Sequence, residues 1–343
     1  MEIDLIELFS GIGGFALGLE QSGFKIMNHK FSEIDKHAIA NYKYNFKNSE
    51  YVGPVQDVRG KRTKRPSVVT FGSPCQDFSL AGKQLGMEGQ RSVLILEAIR
   101  IIRESKPSVF IWENVKGAFS SNDGADFWAI LNAFTNIGGY RLEWQLLNTS
   151  WVLPQNRERV YLVGYSTKPG RNWRGVFPIG ETNKGNAHTS QIKVFDAQNH
   201  KWRDDGNTGT LTRMSGDAYR GQFVEAKYTY KKVNETIEQN PNAFKEGEAR
   251  MMDLHNRKVQ DISPCLVEPH HNGAALFNGY GIRRLTPIEC ERLQGFPDNH
   301  TEYGNYDKEV KKMSNTQRYK QCGNAVTVDI VALVAEAVKP LFK

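Results

Sequence analysis

The chain has 343 residues, 39% hydrophobic and 24% charged, with a formal net charge of +7. That length and apolar content exclude a disordered chain and a small stapled scaffold, and they allow one large domain with a smaller one. The four cysteines, Cys75, Cys265, Cys290 and Cys322, are scattered with no C-x-x-C pair, so neither a zinc site nor a disulfide framework is expected. No apolar run is long enough to span a bilayer, and Met1-Glu2-Ile3-Asp4 lacks the basic and apolar regions of a signal peptide. A cytoplasmic protein with no membrane partner is expected. The basic balance leans towards an acidic partner, nucleic acid first.

Residues 1–165 alternate short apolar runs with helical patterns, which predicts a parallel α/β sheet. A strand over residues 3–9 runs into Ser10-Gly11-Ile12-Gly13-Gly14, then a helix through Phe15, Leu17 and Leu19 that stops near Gly23. A second strand, residues 24–31, ends at Ser32-Glu33-Ile34-Asp35, where Asp35 is placed to cap the next helix. Glycines let the backbone approach a ligand, and an acid about 20 residues on, here Glu33, can take ribose hydroxyls. The pattern points to an adenosine-type cofactor. The spacing is not the strict G-x-G-x-x-G, which weakens an NAD reading. Asp57 is a weaker candidate for the adenine amino group and Val58 lies beside it; a plain turn residue is the blander account. The basic run Lys61-Arg62-Thr63-Lys64-Arg65 reads as a solvated face or a phosphate contact.

Val68-Val69-Thr70-Phe71 reads as the buried central strand, broken by Gly72-Ser73-Pro74 and followed at once by Cys75. Ligands meet an open α/β sheet just past the carboxyl ends of its strands. A cysteine there can be a nucleophile, although a cysteine in isolation more often behaves as a small hydrophobe. The glycine-rich stretch 81–91 suggests a mobile loop or lid. A helix is expected from about Ser92, with Leu94, Ile95, Ala98, Ile99 and Ile102 inward. A strand over 109–112 follows, ending on Glu113-Asn114-Val115, so a second strand delivers a polar group to the same edge. Next come a helix over 127–137 and strands over 142–147 and 161–165. Arg157 and Arg159 lie two apart before the last strand, so in an extended segment they point one way, either to grip an anion or as a surface pair.

Between about 168 and 281 periodicity fades and glycine, asparagine and aromatics rise, which predicts a loop-rich second domain. Loops bearing Arg203, Arg213, Tyr219 and Arg220 suit base edges in a groove, and equally suit ordinary surface loops. His270-His271 has no partner at metal-like spacing. Thr286, Pro287 and Glu289 form a capping box for a helix ending near Gly295. Residues 319–326 open a final helix with Val328, Ile330, Val331, Val334 and Val338 on its apolar side.

Six stretches together resemble the cytosine-5 DNA methyltransferases, bacterial or phage type. Phe9-Ser10-Gly11-Ile12-Gly13-Gly14-Phe15 looks like the cofactor loop, and Gly72-Ser73-Pro74-Cys75-Gln76-Asp77-Phe78-Ser79 like the catalytic loop. Glu113-Asn114-Val115 is similar to the acidic motif, and Gln155-Asn156-Arg157-Glu158-Arg159 to the arginine motif. The block 284–297 resembles the segment after the target recognition domain, and Gln321-Cys322-Gly323-Asn324-Ala325-Val326 the last motif.

The resemblance implies a Rossmann-like S-adenosylmethionine-dependent methyltransferase sheet with a smaller, loop-rich recognition domain. A catalytic domain over 1–175 would be completed by 312–343, with 176–311 as recognition domain and hinge. It implies methyl transfer from S-adenosyl-L-methionine to carbon 5 of a flipped-out cytosine in a specific duplex DNA site. Cys75 would be the covalent nucleophile, Glu113 would hold the ring, and Arg157 and Arg159 would contact the base or Glu113. Phe9, Gly11, Ile12, Gly13, Glu33, Ile34, Asp57, Val58, Pro74 and Asn324 would line the cofactor pocket. Expected partners are double-stranded DNA and a cognate restriction endonuclease, with the enzyme a monomer. Ile34 stands where some members carry an aromatic residue that stacks on adenine, and Ala81 where some carry a serine. Two stretches compete for the family's Thr-Leu pair, Thr210-Leu211 and Pro264-Cys265-Leu266. The rivals are a transfer RNA methyltransferase of the same fold, a catalytically silent DNA-binding relative and, more distantly, a NAD-dependent oxidoreductase.

Overall fold

The computed structural model describes residues 1–62, 65–73, 92–120, 125–167, 175–180, 194–196, 201–203, 235–236, 238–240, 243, 249–253, 258–260, 263–264, 274–278 and 282–342. The chain begins with β1 (Glu2–Leu8), α1 (Gly14–Gln21), β2 (Lys25–Ser32), α2 (Lys36–Asn45), β3 (Ser49–Tyr51) and β4 (Val68–Gly72). It continues through α3 (Ser92–Ser105), β5 (Val109–Val115), α4 (Gly117–Ser120), α5 (Ala125–Thr135), β6 (Tyr140–Asn148), β7 (Gln155–Asn156) and β8 (Glu158–Ser166). Later helices are α6 (Pro287–Leu293), α7 (Asn315–Asn324) and α8 (Val328–Val338).

Seven strands form one sheet in the order β3-β2-β1-β4-β5-β8-β6. β3, β2, β1, β4 and β5 are parallel. The inner strands are near-continuous apolar runs, because helices cover both faces. Ile3, Leu5, Val68, Val109 and Ile111 pack with α1 and α8 on one side. Ile6, Leu8, Val69, Phe71, Phe110 and Trp112 pack with α3 and α5 on the other. A Cβ on Gly18 would lie 2.5 Å from Val331 Cβ, so the bare α-carbon lets α1 and α8 cross this closely.

The sheet departs from the all-parallel expectation at one end. β8 runs antiparallel to both β5 and β6. Apolar patterning fixes burial and not direction, so the sequence carried no sign of this reversal. It has a consequence for the site: the beginning of β8, not its end, lies at the carboxyl edge of the parallel strands. β5 also runs on to Val115, paired with Arg159, so Glu113 and Asn114 lie inside the strand and not beyond it.

The final helix is two. α7 stops at Asn324; Ala325 and Thr327 are extended, and α8 begins at Val328. Thr286 and Glu289 form the expected capping box on α6. A hairpin, Tyr303–Tyr306 with Glu309–Lys312, turns through Asp307 and Lys308 at positive φ; the aspartate suits such a turn, whereas a lysine in the left-handed region leaves no signal in the sequence. In the middle region, the described strands include a four-stranded antiparallel sheet: Lys258–Gln260, Ala249–Asp253, Ala274–Asn278 and Ile282–Arg284. Residues 175–180 are fastened to β6 by side chains. The Gln145 amide both donates to the Ile179 carbonyl and accepts its N–H, and Glu143 accepts the N–H groups of Val176 and Phe177.

Candidate active site

The carboxyl edge of the parallel strands gathers most of the described site candidates. β1 leaves the sheet through Phe9 and Gly11, both at positive φ, and Gly13 caps α1 in the left-handed region. A side chain at Gly11 would be strained by that φ, while the space where it would point is open to 4 Å. The Glu33 carboxylate closes the loop from the next strand. It accepts the Gly11 N–H at 2.9 Å, the Ile34 N–H at 2.7 Å and the Asp35 N–H at 3.0 Å. A carboxylate has about four acceptor positions, so Glu33 keeps capacity for one more donor. Asp35 accepts from His37 and Ala38 as the N-cap of α2.

Ile34 is 76% exposed, an apolar face left bare beside that acid. Asp57 lies in the turn Val55–Asp57 with Val58 buried behind it. Ile12 is buried, and its carbonyl accepts from His300 Nε2 at 2.8 Å. The buried Ser10 hydroxyl has no hydrogen-bond partner among the described residues. Asn324 is exposed at the end of α7, and Val326, two residues on, lies against Gly14 at the first turn of α1. A carboxylate with spare capacity, an exposed apolar face and an open glycine loop fit a molecule carrying ribose hydroxyls and a flat purine.

Glu113 stands one strand beyond Gly72 and directly opposite it in register. A Cβ on Gly72 would lie 3.1 Å from Glu113 Oε2. Glu113 Oε1 is 3.2 Å from Arg159 Nε, an ion pair whose two side chains are 10% and 11% exposed. Burial raises the Glu113 carboxyl above the usual carboxylate range, against the opposing pull of Arg159 and Arg157. The two arginines reach different groups. Arg157, 3% exposed, donates to the Ala325 carbonyl at 2.8 Å and lies 3.5 Å from that of Gly323, at the α7–α8 break. Arg159 goes to Glu113. Cys75 and Pro74 lie outside the described residues, as do Ala81, Thr210, Leu211, Cys265, Leu266, Arg213, Tyr219, Arg220, His270 and His271.

Two features had no signal in the sequence. The Ser73 hydroxyl, last described atom group before Pro74, accepts from Trp112 Nε1 and Asn114 Nδ2, both at 3.0 Å. All three residues are buried, so the start of the catalytic-loop motif is tied to the strand that bears Glu113. Beneath the glycine loop, the Tyr42 hydroxyl donates to Glu7 Oε2 at 2.8 Å and sits 2.6 Å from His29 Nε2. Burial pushes Glu7 up to about 8 and His29 down to about 4.

Solved structures share this fold across almost the whole chain. A DNA modification methyltransferase encoded within a prophage (E. coli) matches with a TM-score of 0.61 at 21% identity, covering 99% of each chain. The S. pombe Dnmt2 methyltransferase matches with a TM-score of 0.62 at 18% identity, again covering 99% of each. The fold is that of a methyltransferase α/β sheet. The family model for C-5 cytosine-specific DNA methylase matches residues 3–340, and the chain belongs to that family. Among curated relatives, the type II methyltransferase M1.ScrFI of Lactococcus lactis subsp. cremoris is 33% identical over 337 residues, covering 97% of this chain and 77% of the relative. M.HpaII of Haemophilus parainfluenzae is 31% identical over 340 residues, covering 95% and 86%. M.Bsp6I of Bacillus sp. (strain RFL6) is 28% identical over 339 residues, covering 97% and 98%. The chain is a DNA cytosine-5 methyltransferase, and the methyl donor is S-adenosyl-L-methionine. Among the described residues, no helix is long and apolar enough to cross a membrane.

Proposed function

We propose that the enzyme methylates carbon 5 of a cytosine turned out of duplex DNA, through a covalent adduct on Cys75. The observation that carries this reading is the buried Glu113–Arg159 pair at the carboxyl edge, against Gly72 and two strands from the glycine loop. Glu33, Ile34, Asp57, Phe9, Gly11, Gly13 and Asn324 would hold S-adenosyl-L-methionine, with Ile12, Val58 and Pro74 shaping the pocket. When bound, that molecule supplies an electrophilic methyl group on a sulfonium.

Carbon 5 of cytosine is a poor nucleophile, and the protein's task is to change that. The Cys75 thiolate adds to carbon 6, forming a C–S bond, while ring N3 takes a proton from Glu113. The electron pair so released makes carbon 5 enamine-like and able to take a methyl group. A water molecule in the site then takes the carbon 5 proton as a base, the carbon 5–carbon 6 double bond re-forms, the C–S bond breaks to release the Cys75 thiolate, and N3 returns its proton to Glu113. A carboxyl raised by burial and held by an arginine suits a group that must donate and recover a proton. Arg159 keeps the carboxyl oriented and offsets the charge left when the proton has gone. Turning the base out of the stack costs on the order of a few kcal/mol.

The recognition domain in this reading is 176–311, and the catalytic domain is 1–175 completed by 312–343. Relatives named type II methyltransferases support a cognate restriction endonuclease as partner. The test is tritium transfer from labelled S-adenosylmethionine to mixed-sequence duplex DNA, with transfer RNA as the parallel acceptor. Incorporation into DNA by the parent, abolished by Cys75→Ser, is expected. No incorporation, incorporation confined to transfer RNA, or an undiminished Cys75→Ser enzyme would overturn the reading.

A further inference from the structure

We infer that the edge of the sheet opposite the active site is a second, sequence-independent binding surface for duplex DNA. Five of the seven residues from Arg59 to Arg65 are cationic, a density the methyl-transfer site does not use. That run leads into the beginning of β4, whereas Gly72 lies at its far end. Four steps of about 3.3 Å from Val68 to Gly72 put about 13 Å between the two ends. The end of α3 comes back to the same edge, where it leads into β5. Gly60 packs against it so tightly that a Cβ there would meet Glu104 Cβ at 2.7 Å. Arg65 Nε donates to the Lys106 carbonyl at 2.6 Å.

Arg59, Lys61, Arg65, Arg103 and Lys106 are therefore gathered on one edge, and all five are exposed. None has a carboxylate partner among the described residues. The carboxylates of the adjoining helix are already engaged: Glu97 and Glu104 both pair with Arg100, and Glu104 also accepts the Gly60 N–H. At this edge the cations outnumber the described carboxylates, Asp4 beside Ser67 and Glu104 beside Gly60, and the surplus is neutralised by what arrives. The polyanion this enzyme works on is duplex DNA, whose phosphate spacing suits a row of flexible lysines and arginines and needs no base contact. A duplex seated at the catalytic edge does not reach this one, so the surface takes a second segment of DNA. That gives the enzyme a hold on neighbouring DNA while the first segment is released, a route between segments without full dissociation.

The inference rests on duplex DNA being the substrate, and its test is separate from catalysis. Poly(dA)·poly(dT) contains no cytosine, so it binds without being an acceptor. The parent enzyme and Lys61→Gln/Arg103→Gln/Lys106→Gln, with no methyl donor, are titrated with this polymer over a series of salt concentrations. A bead-bound copy is also used to capture a second, labelled copy through the protein. Each phosphate contact contributes about 0.9 to the slope of log K against log salt. The triple variant is expected to lose about 2 to 3 from that slope, to bind roughly tenfold or more weakly at 0.1 M salt, and to stop bridging. Its turnover on saturating plasmid DNA stays within twofold of the parent. The double variant Arg59→Gln/Lys61→Gln gives about two-thirds of the effect. An unchanged slope with bridging intact overturns the inference. So does a collapse of turnover, which would put these cations in the target channel, or a loss confined to binding of phosphatidylglycerol vesicles. A parent enzyme that bridges DNA and methylates none would instead overturn the function proposed above.

Discussion

At Glu113 two opposed effects meet, and their balance is open to measurement. Burial favours the neutral carboxyl; Arg159, and behind it Arg157, favours the carboxylate. In the proposed reaction Glu113 must start protonated, so activity falls as pH rises through its pKa. Arg159→Gln removes the stronger opposing charge and raises that pKa further. The basic limb of the kcat/KM profile therefore moves to higher pH, while kcat drops by about 10²-fold or more. A basic limb that stays in place would separate Arg159 from Glu113. Glu7 gives a second residue-scale prediction. It is buried against the hydroxyl of Tyr42, the backbone N–H groups of Phe15 and Ala16, and the field of Glu33, with His29 one step behind Tyr42. Its carboxyl, ordinarily at 4.5, is pushed up to about 8, so between those values the folded state binds a proton that the unfolded chain does not. The Glu7 contribution to stability must then fall as pH rises from about 4.5 to 8, by a few kcal/mol at most, while His29, lowered from 6.5 to about 4, works the other way between those two values. Glu7→Gln keeps the acceptor for Tyr42 and removes the titration. Urea midpoints taken between pH 6.5 and 9, above the range in which His29 titrates, should fall in the parent and stay level in the variant.

At the scale of elements, the tie between β4 and β5 is the most exposed to test. Ser73 satisfies two buried donors with one hydroxyl. Ser73→Ala removes a single atom and leaves Trp112 Nε1 and Asn114 Nδ2 without it, a loss of about 1–3 kcal/mol. Ser73→Thr keeps the hydroxyl and should recover most of that in a denaturant melt; an alanine variant as stable as the parent would show that the tie is idle. None of this was written in the sequence, because a serine in a Gly-Ser-Pro turn looks the same whether or not a neighbouring strand reaches it. The glycine loop and Glu33 were legible for the opposite reason: the conformation at Gly11 and an acid at the next strand end are local demands that leave local marks. The antiparallel placement of β8 was invisible, since direction leaves no trace in apolar alternation. So was the break at Ala325, where the next apolar stretch continues the helical pattern. Nothing in the strand over 142–147 marked Gln145 and Glu143 as the residues that clasp 175–180.

For the molecule as a whole, the segments after the loop-rich middle region are bound to one another by a buried charge pair. Arg318 on α7 donates to Glu291 on α6 at 2.9 Å and to Thr301 at 3.0 Å, and Glu291 also accepts from Asn299 and Thr301. Glu291 is fully buried, with Arg318 nearly so. Glu291→Ala strands a guanidinium and should cost about 3–5 kcal/mol; adding Arg318→Met should return most of it, because the isolated charge is the larger penalty. Additive losses in thermal melts would refute the coupling. The alternation of strands and helices over 1–165 made the sheet legible, and six motifs in order made the family legible. The shape of the middle region was not, because loops carry no periodicity from which to infer it.

One small surface has a practical meaning. Ile34 is three-quarters exposed beside an acid that has room for one more donor. If Ile34 and Glu33 hold the cofactor as proposed, a purine that settles there sheds water from both partners and secures the mouth of β2 at once, and binding favours the folded enzyme. Dialysed preparations should age fastest, and plain adenosine, with nothing to donate, should serve as a preservative.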